Sequence, residues 1–97
     1  MPTYILLVDW TEQGITKFKD SVDRYEEGRG ILQEAGVNFR DIYWTLGSHD
    51  MVSVVEAPDD ETLSAALLRN ASLGNFRTTT MRAFSADEMR AVIDRAR

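Results

Sequence analysis

The sequence has no cysteine and only one histidine among its 97 residues. The absence of cysteine excludes a disulfide framework, thiolate catalysis and cysteine-ligated zinc. No apolar run approaches the roughly 18 residues that cross a membrane, so we expect no membrane partner. Acidic residues outnumber basic ones 16 to 11, and the formal net charge is −5. Because an acidic chain does not attract a phosphate backbone, we also expect no nucleic-acid partner.

The rest of the composition is that of a small globular domain. Hydrophobic residues make up 43% of the chain and charged residues 28%, and we assign residues 1–97 to one domain. A chain of this length buries only a thin core, so a partner subunit would stabilise it. The start, Met1-Pro2-Thr3, lacks the basic region of a secretory signal, and we expect a cytoplasmic protein.

Hydropathy patterns and turn residues predict four strands. The first is short and continuously apolar, the next two are joined by a hairpin-length turn, and the fourth alternates along its length. The strands are predicted at Tyr4–Val8, Val37–Leu46, Met51–Ala57 and Phe76–Phe84.

Three helices are predicted between and after these strands. The first has Ser21 as its N-cap and ends at Gly36, and the second begins after Pro58 and ends at Gly74. The third begins with a capping box at Ser85. The order βαββαβ followed by a C-terminal helix predicts an α+β, ferredoxin-like domain. Its four-stranded sheet is antiparallel, with both main helices on one face.

Two helices on one face leave the other face of the sheet without cover. A hairpin turning at Ser48-His49 places Trp44 opposite Ser53, and neighbouring pairs follow in register. The uncovered face is predicted to carry Leu6, Val8, Ile42, Trp44, Leu46, Met51 and Val55. Because such a face is too apolar for water, we expect a homodimer, or a higher homo-oligomer, packed sheet to sheet.

Several segments carry a resemblance to one known family. They are Thr11-Glu12-Gln13-Gly14-Ile15, Arg24, Tyr43-Trp44-Thr45-Leu46-Gly47, Asp50, Glu56-Ala57-Pro58-Asp59-Asp60, Leu73-Gly74-Asn75, Arg77-Thr78, Thr80 and Arg82-Ala83-Phe84. Through them the chain resembles the GYD domain family over almost its whole length, with His49 where the family usually has tyrosine. The resemblance implies a ferredoxin-like domain of the dimeric α/β-barrel group, but no established biochemical role. Monooxygenases and isomerases of similar fold make a cofactor-free enzyme an alternative by analogy.

The turn Gly47-Ser48-His49-Asp50 contains the one adjacent pair of histidine and acid. One interpretation is a general base oriented by a carboxylate, with His49 and Asp50 as candidate catalytic residues. The alternative is turn structure, in which Gly47 supplies an unusual backbone angle and Asp50 accepts hydrogen bonds from turn amides. Adjacent strand residues point to opposite faces, which favours the turn interpretation.

Other acidic residues predict structure rather than chemistry. The alternation of the third strand places Glu56 towards the helices, where we expect an ion pair with Arg77 or Arg82. The run Asp59-Asp60-Glu61 complements the dipole of the helix that follows, so no metal site is expected.

Aromatic and hydroxyl side chains predict a pocket for a small organic molecule, either beside the sheet or between subunits. The candidate ligand-binding residues are Tyr4, Trp10, Trp44, Ser53, Thr78 and Thr80. No glycine loop that cradles phosphate is present, and the histidine lies in a turn, so we expect no cofactor. The predicted function is a small homo-oligomeric domain that binds such a molecule. The alternative is a structural or regulatory oligomer without a ligand.

Overall fold

The computed structural model describes all 97 residues and has the predicted order of elements. Its strands are β1 (Thr3–Trp10), β2 (Asn38–Trp44), β3 (Met51–Glu56) and β4 (Phe76–Ala83). Its helices are α1 (Glu12–Ile15), α2 (Ser21–Glu34), α3 (Asp60–Ala71) and α4 (Ala86–Ala96), with a 3-10 turn at Phe18–Asp20. The strands form one antiparallel sheet in the order β2-β3-β1-β4. The α+β, ferredoxin-like prediction is confirmed. None of the helices combines the length and apolar character needed to cross a membrane.

Local capping accounts for most of the helix boundaries. Asp59 is the N-cap of α3, and its carboxylate accepts a hydrogen bond from the Thr62 amide at 2.7 Å. Ser85 and Glu88 form the predicted capping box of α4. Gly36 follows α2 with a φ of +94°, a conformation that favours glycine. These ends follow from short stretches of sequence, which is why the sequence predicts them well.

The start of α2 differs from the prediction. Ser21 is the first residue of the helix rather than its N-cap, and Asp20 occupies the cap position without a side-chain hydrogen bond. The Ser21 hydroxyl instead accepts a hydrogen bond from the Trp44 indole Nε1 at 2.9 Å. This tertiary contact ties α2 to the end of β2, and it replaces the local capping interaction.

The register between β2 and β3 is shifted by two residues from the predicted one. Trp44 lies opposite Met51, Ile42 lies opposite Ser53, and the ladder is interrupted by a bulge at Arg40. Because side chains alternate with a period of two, a two-residue shift leaves each side chain on the same face. The predicted grouping of residues by face therefore survives the change of partners.

The helices cover the opposite face of the sheet from the one predicted. The buried core consists of Tyr4, Leu6, Val8, Val37, Met51, Val55, Ala57, Leu63 and Ala66. It contains four of the residues assigned to the uncovered face, and Ile42 packs against it as well. Trp44 is held beneath α2, and Leu46 is fully exposed in the turn beyond the strand. Alternation groups residues by face but does not say which group the helices cover, so this prediction was wrong.

The uncovered face consists of the alternate residues of the same strands. Its apolar members are Ile5, Leu7, Tyr43, Val52, Val54 and Met81. The four aliphatic ones are half-buried, whereas the tyrosine and the methionine are exposed. Glu56 also lies on this face, contrary to the prediction. Its Oε1 is 3.7 Å from Nε of Arg40, and it pairs with neither Arg77 nor Arg82.

Helix α4 presents a second exposed apolar surface. Met89, Val92 and Ile93 lie at helical spacing and are all exposed. Just before the helix, the Arg82 guanidinium lies over the Phe84 ring, 4.6 Å from its centroid. The arginine fixes the direction in which the chain leaves β4, while the apolar stripe of α4 stays in solvent.

A compact contact joins α1 to the loop between α3 and β4. The Thr11 hydroxyl accepts a hydrogen bond from the Gly14 amide at 3.0 Å and donates one to the Gly74 carbonyl at 2.5 Å. The Gln13 side-chain amide donates to Asn75 Oδ1 at 3.0 Å. Gly14 approaches the loop so closely that a Cβ there would lie 2.0 Å from the Asn75 carbonyl oxygen. Position 14 therefore requires glycine.

We expect Gly14→Ala to destabilise the protein by about 1–3 kcal/mol, the usual range for overpacking, because the new methyl group collides with backbone. Gly30→Ala is the matched control. A Cβ at position 30 of α2 meets nothing within 4 Å, so that change should stabilise the helix by up to about 1 kcal/mol. Urea denaturation of the three proteins measures both effects. Equal stability of the two variants would contradict the close packing of α1 on the loop.

Candidate binding cavity

A cavity of about 90 Å³ lies between the covered face of the sheet and the two main helices. Its floor is apolar and includes Leu6, Val8 and Met51, whereas its polar groups come mainly from the helices that form its walls. An apolar hollow with a few polar side chains is the usual form of a site for a small organic molecule.

The sequence of α2 explains why the space is open. With 3.6 residues per turn, one face of this helix carries Ser21, Tyr25, Gly28 and Leu32, all of which line the cavity. Gly28 has no side chain, and a Cβ at this position would meet nothing within 4 Å. The centre of the helix face therefore stands clear of the sheet instead of packing onto it.

Arg24 and Arg29 flank this helix face on its two sides and line the cavity. Arg24 is half-buried and Arg29 is exposed. Neither guanidinium takes part in any of the ion pairs of the structure. The cavity lining contains no carboxylate, so two uncompensated positive charges face it in a chain whose net charge is −5.

Ser53 supplies a polar group at the floor of the cavity. The residue is only 2% exposed, and its hydroxyl forms no hydrogen bond with another group of the chain. Every side-chain nitrogen or oxygen atom that is fully buried in this structure has a hydrogen-bond partner. The Ser53 hydroxyl has no such partner, so its oxygen is not fully buried and opens onto the cavity that the residue lines. A hydroxyl buried in this way is available to a molecule inside the cavity.

The six residues predicted to bind a ligand all lie on the covered side of the sheet, but they do not form one site. Only Ser53 and Thr78 line the cavity. Thr78 also borders an open groove beside α3, together with Tyr4 and Thr80. The two tryptophans line neither space. Trp10 packs against the core, and the Trp44 indole donates a hydrogen bond to the Ser21 hydroxyl.

Sequence reasoning missed the part that α2 plays in this site. The signal lies in the helical spacing of Ser21, Tyr25 and Gly28, with one arginine next to the tyrosine and another next to the glycine. A glycine inside a helix, however, indicates only a weaker helix when it is considered alone. That Gly28 opens a space follows only from the distance between α2 and the sheet.

Tyr4 has a structural partner of its own. Its hydroxyl donates a hydrogen bond to the Asp60 carboxylate at the start of α3. This hydrogen bond, followed by burial and by the negative charge of Asp60, raises the pKa of Tyr4 to about 12. The neutral phenol is therefore favoured by the folded state, and the contact ties β1 to α3.

We expect Tyr4→Phe to destabilise the protein by about 1 kcal/mol near pH 8, because one hydrogen bond is lost. The pKa of Tyr4 is raised on folding from an unfolded value near 10. Its contribution is therefore complete below about pH 10 and declines as the pH rises towards 12. Urea unfolding of both proteins at pH 8 and pH 11 should show the difference shrinking at the higher pH. A difference that stays constant or grows would contradict this role.

The His49 turn is held by contacts other than the predicted His49–Asp50 pair. Nδ1 of His49 lies 3.2 Å from both carboxylate oxygens of Asp9. The Asp50 carboxylate accepts a hydrogen bond from the Trp10 amide at 2.9 Å, not from a turn amide. Gly47 has a φ of +111°. Asp9 belongs to the uncovered face, so the histidine lies away from the cavity, at the edge of the other side of the sheet. No group of three or more His, Cys, Asp or Glu residues is arranged to hold a metal ion.

Comparisons with known proteins agree with this architecture. The model of the family described as GYD domain matches residues 4–93. A Thermus thermophilus protein named glutamine synthetase and cystathionine beta-lyase binding protein is 34% identical over 90 residues, which span 92% of this chain and 95% of that protein. A crystal structure of a Thermus thermophilus protein covers 89% of this chain and 96% of its own, with a TM-score of 0.57 and 24% identity. At this level of identity the structural likeness shows the fold alone.

Proposed function

Because the chain belongs to the GYD domain family, we propose that it is a homodimeric binding protein that docks onto metabolic enzymes, and we assign it no reaction. The observation that carries the proposal is the apolar face of the sheet that no helix covers. The main helices pack on the other face, and the apolar stripe of α4 stays in solvent. A relative whose name describes binding to glutamine synthetase and cystathionine beta-lyase supports the choice of protein partners.

The chemistry of the uncovered face suits a second copy of the same chain. A two-fold contact brings identical patches together, so any unbalanced charge on the patch is doubled. On this face Glu56 lies beside Arg40 and Asp9 lies beside His49. The register also places Asp41, opposite Val54, and Arg77, opposite Asp9, on this face, and neither of them forms an ion pair within the chain. Because acidic and basic side chains both surround its aliphatic residues, this face can pack against its own copy without a large excess of one charge, despite the acidic charge of the whole chain.

We expect the protein to sediment as a dimer at micromolar concentration and Val54→Asp to sediment as a monomer. Val54 lies in the middle of the uncovered face, where a carboxylate would have to be buried without a partner. The control is Leu68→Asp on α3, which places the same charge on a side chain that is 73% exposed and away from that face. This control should remain dimeric. A monomeric wild-type protein would sink the homodimer proposal.

Binding to enzymes is tested with glutamine synthetase and cystathionine beta-lyase from the organism that encodes this chain. We expect at least one of them to co-elute with the protein in size-exclusion chromatography and to bind it with a Kd in the micromolar range or below, about −8 kcal/mol or stronger. Two variants locate the contact. Loss of enzyme binding in Val54→Asp places it on the uncovered face, and loss of binding in Ile93→Asp places it on the apolar stripe of α4. Absence of binding to both enzymes would contradict this part of the proposal.

A second candidate function is the binding of a small organic molecule in the cavity. The observation that favours it is the Ser53 hydroxyl, which is buried, unpartnered within the chain and open to the cavity. The third alternative, a cofactor-free enzyme using His49 and Asp50, gains no such support, because each of these side chains is engaged elsewhere.

A further inference from the structure

We propose that the cavity binds a small organic carboxylate, with its acid group between Arg24 and Arg29 and its apolar body over the floor of the sheet. The inference rests on the second candidate function, small-molecule binding, and names the chemical class of the ligand. It does not depend on dimerisation or on the partner enzymes.

Charge is the first argument for a carboxylate. Arg24 is half-buried and has no acidic partner, and Arg29 lies on the opposite flank of the same helix face, also without one. Charged side chains that are withdrawn from water are normally paired. The one carboxylate of the neighbouring groove, that of Glu27, does not line the cavity. The planar, forked guanidinium matches the geometry of a carboxylate and can bind it through two parallel hydrogen bonds.

Size and polarity restrict the rest of the ligand. A volume of about 90 Å³ has room for roughly six to nine water-sized groups. The floor beneath the arginines is formed by apolar side chains such as Leu6, Val8 and Met51. A phosphate would need several converging donors, which the apolar floor does not provide, whereas a short aliphatic or aromatic acid fills this space well. The Ser53 hydroxyl adds one hydrogen-bonding position on the floor.

The opening itself depends on Gly28. This glycine lies at the centre of the helix face between the two arginines, and a Cβ there would meet only open space. A larger side chain at this position is compatible with the helix and improves its intrinsic propensity. It would fill the cavity rather than disturb the fold, which makes position 28 suitable for a test that separates binding from stability.

The test compares benzoate with benzamide, which have the same shape and size but differ in charge. Calorimetric titration of the full chain should show saturable binding of benzoate at one site per chain and at least tenfold weaker binding of benzamide. Quenching of tryptophan fluorescence provides a second signal, because the Trp44 indole is hydrogen-bonded to Ser21 at the cavity wall and its ring lies 5.9 Å from that of Tyr25. Arg24→Met, which keeps the apolar stem and removes the charge, should weaken benzoate binding at least tenfold.

Gly28→Leu should abolish the binding of both probes while the protein keeps its helical circular dichroism and thermal stability. Gly30→Leu is the matched control, since position 30 lies in the same helix, is equally free of contacts and does not line the cavity. This control should bind benzoate like the wild-type protein. Loss of binding in both variants would show that the effect comes from α2 as a whole and would count against a site under Gly28.

The remaining outcomes separate this inference from the candidate function on which it rests. Equal binding of benzamide and benzoate, or no effect of Arg24→Met, overturns the carboxylate class and leaves small-molecule binding standing. If neither probe binds, native mass spectrometry of freshly purified protein decides the matter. A retained acid that is absent from Gly28→Leu supports the inference, a retained neutral molecule overturns it, and an empty protein overturns both.

Discussion

Strand β1 places the strongest constraint on this structure, because it is apolar on both faces and lies between β3 and β4 in the middle of the sheet. Leu6 and Val8 point towards the helices, whereas Ile5 and Leu7 point away from them. The βαββαβ order supplies helices for only one side. Burial of apolar surface contributes about 25 cal/mol per Å², so covering the second face of such a sheet would stabilise it further, and the helices of this chain leave that face uncovered. The thin core and the proposal of a partner subunit both rest on this strand.

The side that the helices do cover is only partly filled. Helix α2 is held at its start by the hydrogen bond between Trp44 and Ser21 and by edge-to-face contacts of Tyr25, whose ring lies 5.7 Å from Phe39 and 5.9 Å from Trp44. These contacts lie towards β2, at the edge of the sheet. Farther along the helix Gly28 provides no side chain to fill the gap above the central strands. A helix anchored at one edge and lacking a side chain at its centre leaves a cavity without any strained backbone.

The limits of sequence reasoning here follow from the range of the interactions. The order of elements, the capping box at Ser85 and the glycine at the end of α2 depend on neighbouring residues, and the sequence predicted them correctly. The covered face was predicted wrongly, because both alternating sets of β1 are apolar and periodicity does not choose between them. The partner of His49 is Asp9, 40 positions away in the chain, and the cavity depends on where α2 lies above the sheet. Neither this partner nor the cavity can be predicted from a local sequence pattern.

The alternation of β3 separates the two proposed binding surfaces within a single strand. Ser53 points into the cavity, whereas its neighbours Val52 and Val54 point to the uncovered face. A substitution at Val54 therefore changes the surface available to a partner without changing the cavity lining, and a substitution at Gly28 does the reverse. His49 and Asp9 lie at the edge of the uncovered face. A substitution there would therefore change the affinity for a protein partner more than the affinity for a molecule in the cavity. Because the strand alternation keeps the surfaces distinct, a loss of self-association and a loss of ligand binding can each be traced to one side of the sheet.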